Sequence, residues 1–154
     1  MASKEDTYYT YPTPHGPLTL RATKHGIAEV VFGKAALSGR NEPSRLTNQA
    51  ANEIQEYLAG KRRVFSVPID PHGSAFQKEV WTEVCSIGYG EVSTAAAIAQ
   101  ALGKPGAHRS VGTALRMNKL APLIPTHRVP VANATGKQAK IFRGFLALEQ
   151  RSLR

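Results

Sequence analysis

Ile124-Pro125-Thr126-His127-Arg128-Val129 sets a hydroxyl, an imidazole and a guanidinium on three consecutive residues. Such a run could serve acid–base or nucleophilic chemistry. A threonine hydroxyl is much less acidic than a thiol and is a harder, poorer nucleophile toward alkyl carbon. Threonine nucleophiles in enzymes attack carbonyls with the help of an activating amine. The alternative for this run is a packed loop in which His127 and Arg128 are hydrogen-bonded structural residues. The one thiol, Cys85, falls one helical turn after Trp81 in an apolar pattern. It is expected to be partly or wholly buried there as a small hydrophobe, because a lone cysteine on an apolar helix face is far more often packing than nucleophile.

The elements that position these residues must come from a chain of 154 residues, 42% hydrophobic. That length suits one ordinary domain or two small ones, with enough apolar content for a core. A single cysteine excludes an internal disulfide framework and a cysteine-rich zinc site. No apolar run is long enough to span a membrane, and Met1-Ala2-Ser3-Lys4-Glu5-Asp6 lacks the apolar stretch of a signal peptide. An intracellular protein is expected, in cytoplasm, nucleus or a bacterial nucleoid. The net charge of +9 is uneven: residues 1–70 carry 9 Lys/Arg against 7 Asp/Glu, and residues 71–154 carry 11 against 4. The basic C-terminal part suits a polyanion, nucleic acid first.

The order of elements divides in two. Tyr8 to Tyr11 leads to a turn at Pro14-His15-Gly16-Pro17. Leu18 to Thr23 alternates apolar and polar residues, and Ile27 to Phe32 follows the turn Lys24-His25-Gly26, so the pair reads as a hairpin. Leu46, Ala50, Ile54 and Leu58 predict a helix over 46–59 that Gly60 ends. Phe65 to Ile69 reads as a last short strand, and Pro68 makes it an edge strand or marks its end. Asp70 to Ser74 is dense in turn residues and marks a domain boundary. Beyond it, Ser74 caps a helix carrying Phe76, Val80, Val84 and Ile87, Thr94 caps a second over Ala95 to Leu102, and a third runs from about Ala107 to Met117. Helix, Gly/Pro turn, helix is the helix-turn-helix pattern.

These residues, taken in order, resemble the alkylguanine-DNA alkyltransferases, the methylated-DNA–protein-cysteine methyltransferases, over nearly the whole chain. The resemblance rests on Phe76-Gln77-X-X-Val80-Trp81, Gly88-Tyr89-Gly90-Glu91-Val92-Ser93, and Ala99 to Gly103 followed by Lys104-Pro105-Gly106-Ala107-His108-Arg109-Ser110-Val111-Gly112. It extends to Asn118 eight residues before Thr126, Pro125-Thr126-His127-Arg128-Val129, and Leu146-Ala147-Leu148-Glu149. In the N-terminal part Gly16-Pro17-Leu18 and Ile69-Asp70-Pro71-X-Gly73 also match.

The resemblance implies an α/β (α+β) fold: residues 1–70 as a ribonuclease H-like domain with a small antiparallel sheet, and residues 71–154 as a helical domain with a winged helix-turn-helix. It places Thr126 where the family has its nucleophilic cysteine. His127 falls at the base that acts through water, Glu149 at the residue that orients it, and Asn118 at the residue that orders the loop. Arg109 stands at the finger that fills the gap left by a flipped nucleotide, where a guanidinium can both hydrogen-bond and stack. Ser110, Gly112 and Thr113 would let the helix approach DNA closely, Ser93 and Thr94 would hold phosphate, and Arg116, Lys119, Lys104 and Arg128 would add charge. Asn118 joins the expected DNA-facing set. Ala95 stands where the family has a tyrosine. Ala134-Thr135-Gly136-Lys137-Gln138-Ala139-Lys140-Ile141 stands in place of a longer loop bearing an aromatic and a glycine pair. Its lysines favour phosphate contact over base recognition.

The expectation is a monomeric, non-enzymatic member that binds duplex DNA with alkylated guanine by nucleotide flipping. It would mark the lesion for excision-repair proteins, as alkyltransferase-like proteins with tryptophan at the cysteine position do. No cofactor, metal or membrane partner is implied. Two other readings fit: a nucleophile-dead or atypical methyltransferase, and a helix-turn-helix module without lesion preference.

Overall fold

The computed structural model describes residues 5–131 and 134–153. The segment Met1 to Lys4, part of the stretch expected to carry no signal peptide, lies outside the described residues. The chain divides into two compact units, Met1–His72 and Gly73–Arg154.

In the first unit, β1 (Thr7–Tyr11), β2 (Leu18–Ala22), β3 (Ile27–Phe32) and β4 (Arg40–Asn41) form one sheet in the order β3-β2-β1-β4. β2 pairs antiparallel with both β1 and β3, whereas β4 runs parallel to β1. The sheet is therefore mixed, where a purely antiparallel one was expected. Two polar residues, Arg40 and Asn41, carry no period for sequence reasoning to detect. α1 (Arg45–Leu58) lies against the sheet, capped by Ser44, whose side chain accepts from the Thr47 amide. Leu18, Leu20, Ile27, Ala50, Ile54 and Tyr57 are buried and form the centre of this core.

The strand expected over Phe65 to Ile69 is not formed; its one ladder contact is an isolated parallel bridge between Ile27 and Ile69. A carboxylate accounts for the difference. Glu53, buried on α1, accepts from the Ser66 amide (2.8 Å), the Ser66 hydroxyl (2.7 Å) and the Val67 amide (3.1 Å). Those amides are spent on a helix side chain, and Pro68 has none to give.

In the second unit, α2 (Ala75–Val84), α3 (Ala95–Ala101) and α4 (His108–Arg116) pack on one another, and α5 (Lys137–Ser152) packs on a 310 turn at Thr126–Arg128. Ser74 and Thr94 cap α2 and α3 through the Gln77 and Ala97 amides. Val80, Trp81 and Val84 face inward from α2, and the Trp81 indole N–H donates to the Ala114 carbonyl at 2.8 Å, tying α2 to α4. α3 and α4 supply the helix-turn-helix. No strand occurs among the described residues of this unit, and the chain from Leu120 to Val129 is buried, with the 310 turn at Thr126–Arg128 within it. α5 begins at Lys137, so most of the segment read as a pocket loop, 134–141, is helix. Cys85, expected to be partly or wholly buried, is exposed: α2 ends at Val84, and beyond it the helical period no longer decides which residues face inward.

Candidate active site

Thr126 and His127 line a cavity of about 450 Å³ in the second unit. One wall is the end of α4, Leu115 and Arg116; another is the extended chain Val129-Pro130-Val131; the third is Gln138, Phe142 and Leu146 on α5. The lining is largely apolar with a few polar groups, the usual make-up of a small-molecule site, and the volume lies in the usual range of about 300–1,000 Å³.

Asn118 fixes the floor. Its amide nitrogen donates to the Ile124 carbonyl at 2.9 Å and to the Thr126 hydroxyl oxygen at 3.0 Å, while its oxygen accepts from the Leu120 amide at 2.8 Å. The side chain is buried and its polar atoms are used internally, so it shapes the loop and does not face DNA as one of the expected contacts.

Behind Thr126 lies a buried network centred on Glu149. The His127 Nε2 is 2.5 Å from one carboxylate oxygen. Arg128 clasps both oxygens, Nε at 2.9 Å and a terminal nitrogen at 3.1 Å, and the Gly90 amide donates to the same carboxylate at 2.9 Å. Burial pushes the His127 pKa below its usual value and the Arg128 charge adds to this, while Glu149 opposes through its hydrogen bond and charge. In the neutral form that burial favours, Nε2–H donates to Glu149 and Nδ1 is the acceptor nitrogen.

Arg128, expected to add charge to a DNA-facing surface, is turned inward instead. Its remaining terminal nitrogen donates to the Ile87 carbonyl at 2.7 Å, and its guanidinium lies 5.8 Å from the Tyr89 ring centre. A buried carboxylate needs a partner cation, and Glu149 supplies the reason for the reversal. Lys104 is paired with Glu79 at 3.3 Å, which reduces its value as surface charge.

The remaining expected contacts lie on the surface of the helix-turn-helix. Arg109, Ser110, Thr113 and Arg116 are exposed on α4, with Gly112 half-buried among them; Thr94 is exposed at the start of α3, with Ser93 and Ala95 half-buried beside it. A Cβ on Gly112 would meet only the Arg116 guanidinium, at 3.9 Å, so internal packing does not demand glycine there. The structure thus brings Asn118, Thr126, His127 and Glu149 together and leaves Arg109 on the outer face of α4. Sequence reasoning missed Gln138, Phe142 and Arg143 as lining residues. Their signal was the i, i+4 series Gln138, Phe142, Leu146, obscured by reading 134–141 as loop.

Cys85 offers no substitute thiolate. Burial of the sulfur by the protein around it pushes its pKa up even though the residue is exposed, with the Arg128 charge opposing. Among the described residues no cluster of His, Cys, Asp or Glu is arranged to hold a metal ion, and no helix is long and apolar enough to cross a membrane.

Comparison with known proteins identifies this architecture. Residues 7–71 match the 6-O-methylguanine DNA methyltransferase ribonuclease-like domain, and residues 75–154 match the DNA binding domain of the same family. The chain is similar to the methylated-DNA–protein-cysteine methyltransferase of Methanosarcina barkeri, at 35% identity covering 96% of this chain and 99% of the relative. It is similar to the protein of the same name from Mycobacterium tuberculosis, at 37% identity covering 84% and 80%. The crystal structure of Mycobacterium tuberculosis OGT in complex with DNA superposes with a TM-score of 0.82 at 31% identity, covering 95% of this chain and 94% of that one. These relatives carry the name of an enzyme, and that overturns the expectation, drawn from Thr126, of a non-enzymatic protein. With both of its domains matched in order, the chain belongs to the 6-O-methylguanine DNA methyltransferase family.

Proposed function

We propose that this protein recognises alkylated guanine in duplex DNA, taking the flipped base into the cavity floored by Thr126. The observation that carries this is the cavity itself. It is formed, largely apolar, and lined at its floor by Thr126 and His127, beside a helix-turn-helix whose outer face presents Arg109 and small residues. A flat aromatic base gains from apolar walls, and the few polar groups orient it. Arg109 would enter the stack as the base leaves, with Ser110, Gly112 and Thr113 allowing close approach. The exposed first turn of α3 at Thr94 and the cations Arg116 and Lys119 would hold phosphates.

The test is binding at fixed salt to duplexes differing only in one O6-methylguanine, with a fluorescent base analogue reporting extrusion. Tighter binding and extrusion at the lesion support the reading. Equal affinity for both duplexes would replace it with a lesion-blind helix-turn-helix module, whose affinity is set by phosphate contacts and falls steeply with salt. Intact-mass measurement after the same incubation reads alkyl transfer separately, as one alkyl group gained per chain.

A further inference from the structure

The hydrogen-bond directions around Thr126 give this cavity a property that its shape alone does not reveal. The Leu120 amide can only donate, so the Asn118 atom it meets at 2.8 Å is the oxygen, and the Asn118 nitrogen faces Thr126. An amide nitrogen donates, so the Thr126 oxygen is the acceptor of that bond. The hydroxyl proton must then go elsewhere, and no acceptor for it occurs among the described residues. The Thr126 backbone amide is already spent on the Ile124 carbonyl at 2.9 Å. Thr126 is 2% exposed and is one of the residues lining the cavity.

We infer that Thr126 is a specificity-determining hydrogen-bond donor, oriented by Asn118, that selects purines carrying an acceptor at the 6-position. The inference rests on the lesion-binding reading above and deepens it. A hydroxyl whose oxygen already accepts from Asn118 is polarised toward donation, and in a mostly apolar cavity a missing acceptor leaves it unsatisfied. An ether or carbonyl oxygen on the base satisfies it. A methylene at the same place, or the exocyclic amine of an adenine, does not. Sites built to hydrogen-bond a ligand group discriminate strongly against the analogue that lacks it.

The experiment compares three duplexes, carrying O6-methylguanine, 2-amino-6-ethylpurine (the same shape with a methylene for the ether oxygen) or unmodified guanine, against the unaltered chain, Thr126→Val and Thr126→Ser. The unaltered chain should prefer O6-methylguanine over 2-amino-6-ethylpurine by about tenfold. Thr126→Val should bind the two alike, and Thr126→Ser should keep the preference. Trp81 fluorescence confirms that each variant is folded; if Thr126→Val is not, the comparison of the two purines on the unaltered chain still decides. Equal affinity of the unaltered chain for the two purines, or a preference retained by Thr126→Val, overturns the inference while leaving lesion binding intact. Failure of the underlying reading looks different, with neither purine bound more tightly than guanine, and it removes the inference as well.

Discussion

Arg128 and Glu149 meet in a two-point clasp, 21 residues apart and fully inside the second unit. The same carboxylate holds His127, so one buried anion sets both the orientation of the imidazole beside Thr126 and the path of the 310 turn that carries Thr126.

Glu149→Gln removes the negative charge and leaves the Arg128 guanidinium buried without a counter-ion. Breaking one half of a buried pair costs about 3–5 kcal/mol. Denaturant unfolding followed by Trp81 fluorescence, which reports on the second unit alone, should show a loss of this size. A change below 1 kcal/mol would mean that the pair is open to water.

The helices were legible in the sequence because their signals are local. Ser74 and Thr94 cap as read from the sequence, and Gly60 and Gly103 follow their helices with φ of 76° and 73°. Gly16, with φ of 102°, likewise sits in the predicted turn before β2. The inward turn of Arg128 and the Glu53-held segment were not legible. Each depends on a carboxylate more than ten residues away in the chain, and nothing local distinguishes such a residue from a solvated one. The cavity wall was missed for a different reason: Gly136 ends the loop sooner than its polar composition suggested, and the helix takes over at Lys137. In the site itself, Asn118, Thr126, His127 and Glu149 were brought together by the resemblance of their motifs to the family's, while Gln138, Phe142 and Arg143 were not found.

The first unit should lose stability in acid through Glu53. Burial alone would raise this carboxyl, but the hydrogen bonds from Gln49, Ser66 and Val67 together outweigh it and hold its pKa below the usual value. A folded pKa below the unfolded one gives stability that is complete above the unfolded value, near pH ~4.3, and is lost as pH falls through the folded value. Glu53→Gln should therefore destabilise this unit by about 1–3 kcal/mol at pH 7 and flatten its acid limb. Circular dichroism melts across pH 2–7 check both, and an unchanged acid limb would assign the loss to another carboxylate.

Thr126→Cys places a thiol on the cavity floor beside an imidazole already oriented by Glu149. A thiol is partly ionised near neutral pH and is a soft nucleophile suited to alkyl carbon. Incubated with an O6-methylguanine duplex, the variant should gain one methyl group per chain by intact mass, faster than the unaltered chain does. No gain would show that the wall built by Gln138, Phe142 and Leu146 keeps the base from the floor.

Arg109→Ala separates the docking surface from the cavity. Arg109 is exposed and contributes its backbone carbonyl to Thr113 within α4, so removing its guanidinium should change stability by no more than about 0.5 kcal/mol. If the side chain occupies the gap left by a flipped base, its loss should weaken binding to an O6-methylguanine duplex by about tenfold or more, with a smaller effect on unmodified duplex. The contrast matters because a simple phosphate contact would weaken both duplexes alike and reduce the salt dependence by about one charge. Equal weakening of the two duplexes would therefore return Arg109 to the phosphate-binding set and leave some other group to replace the extruded base.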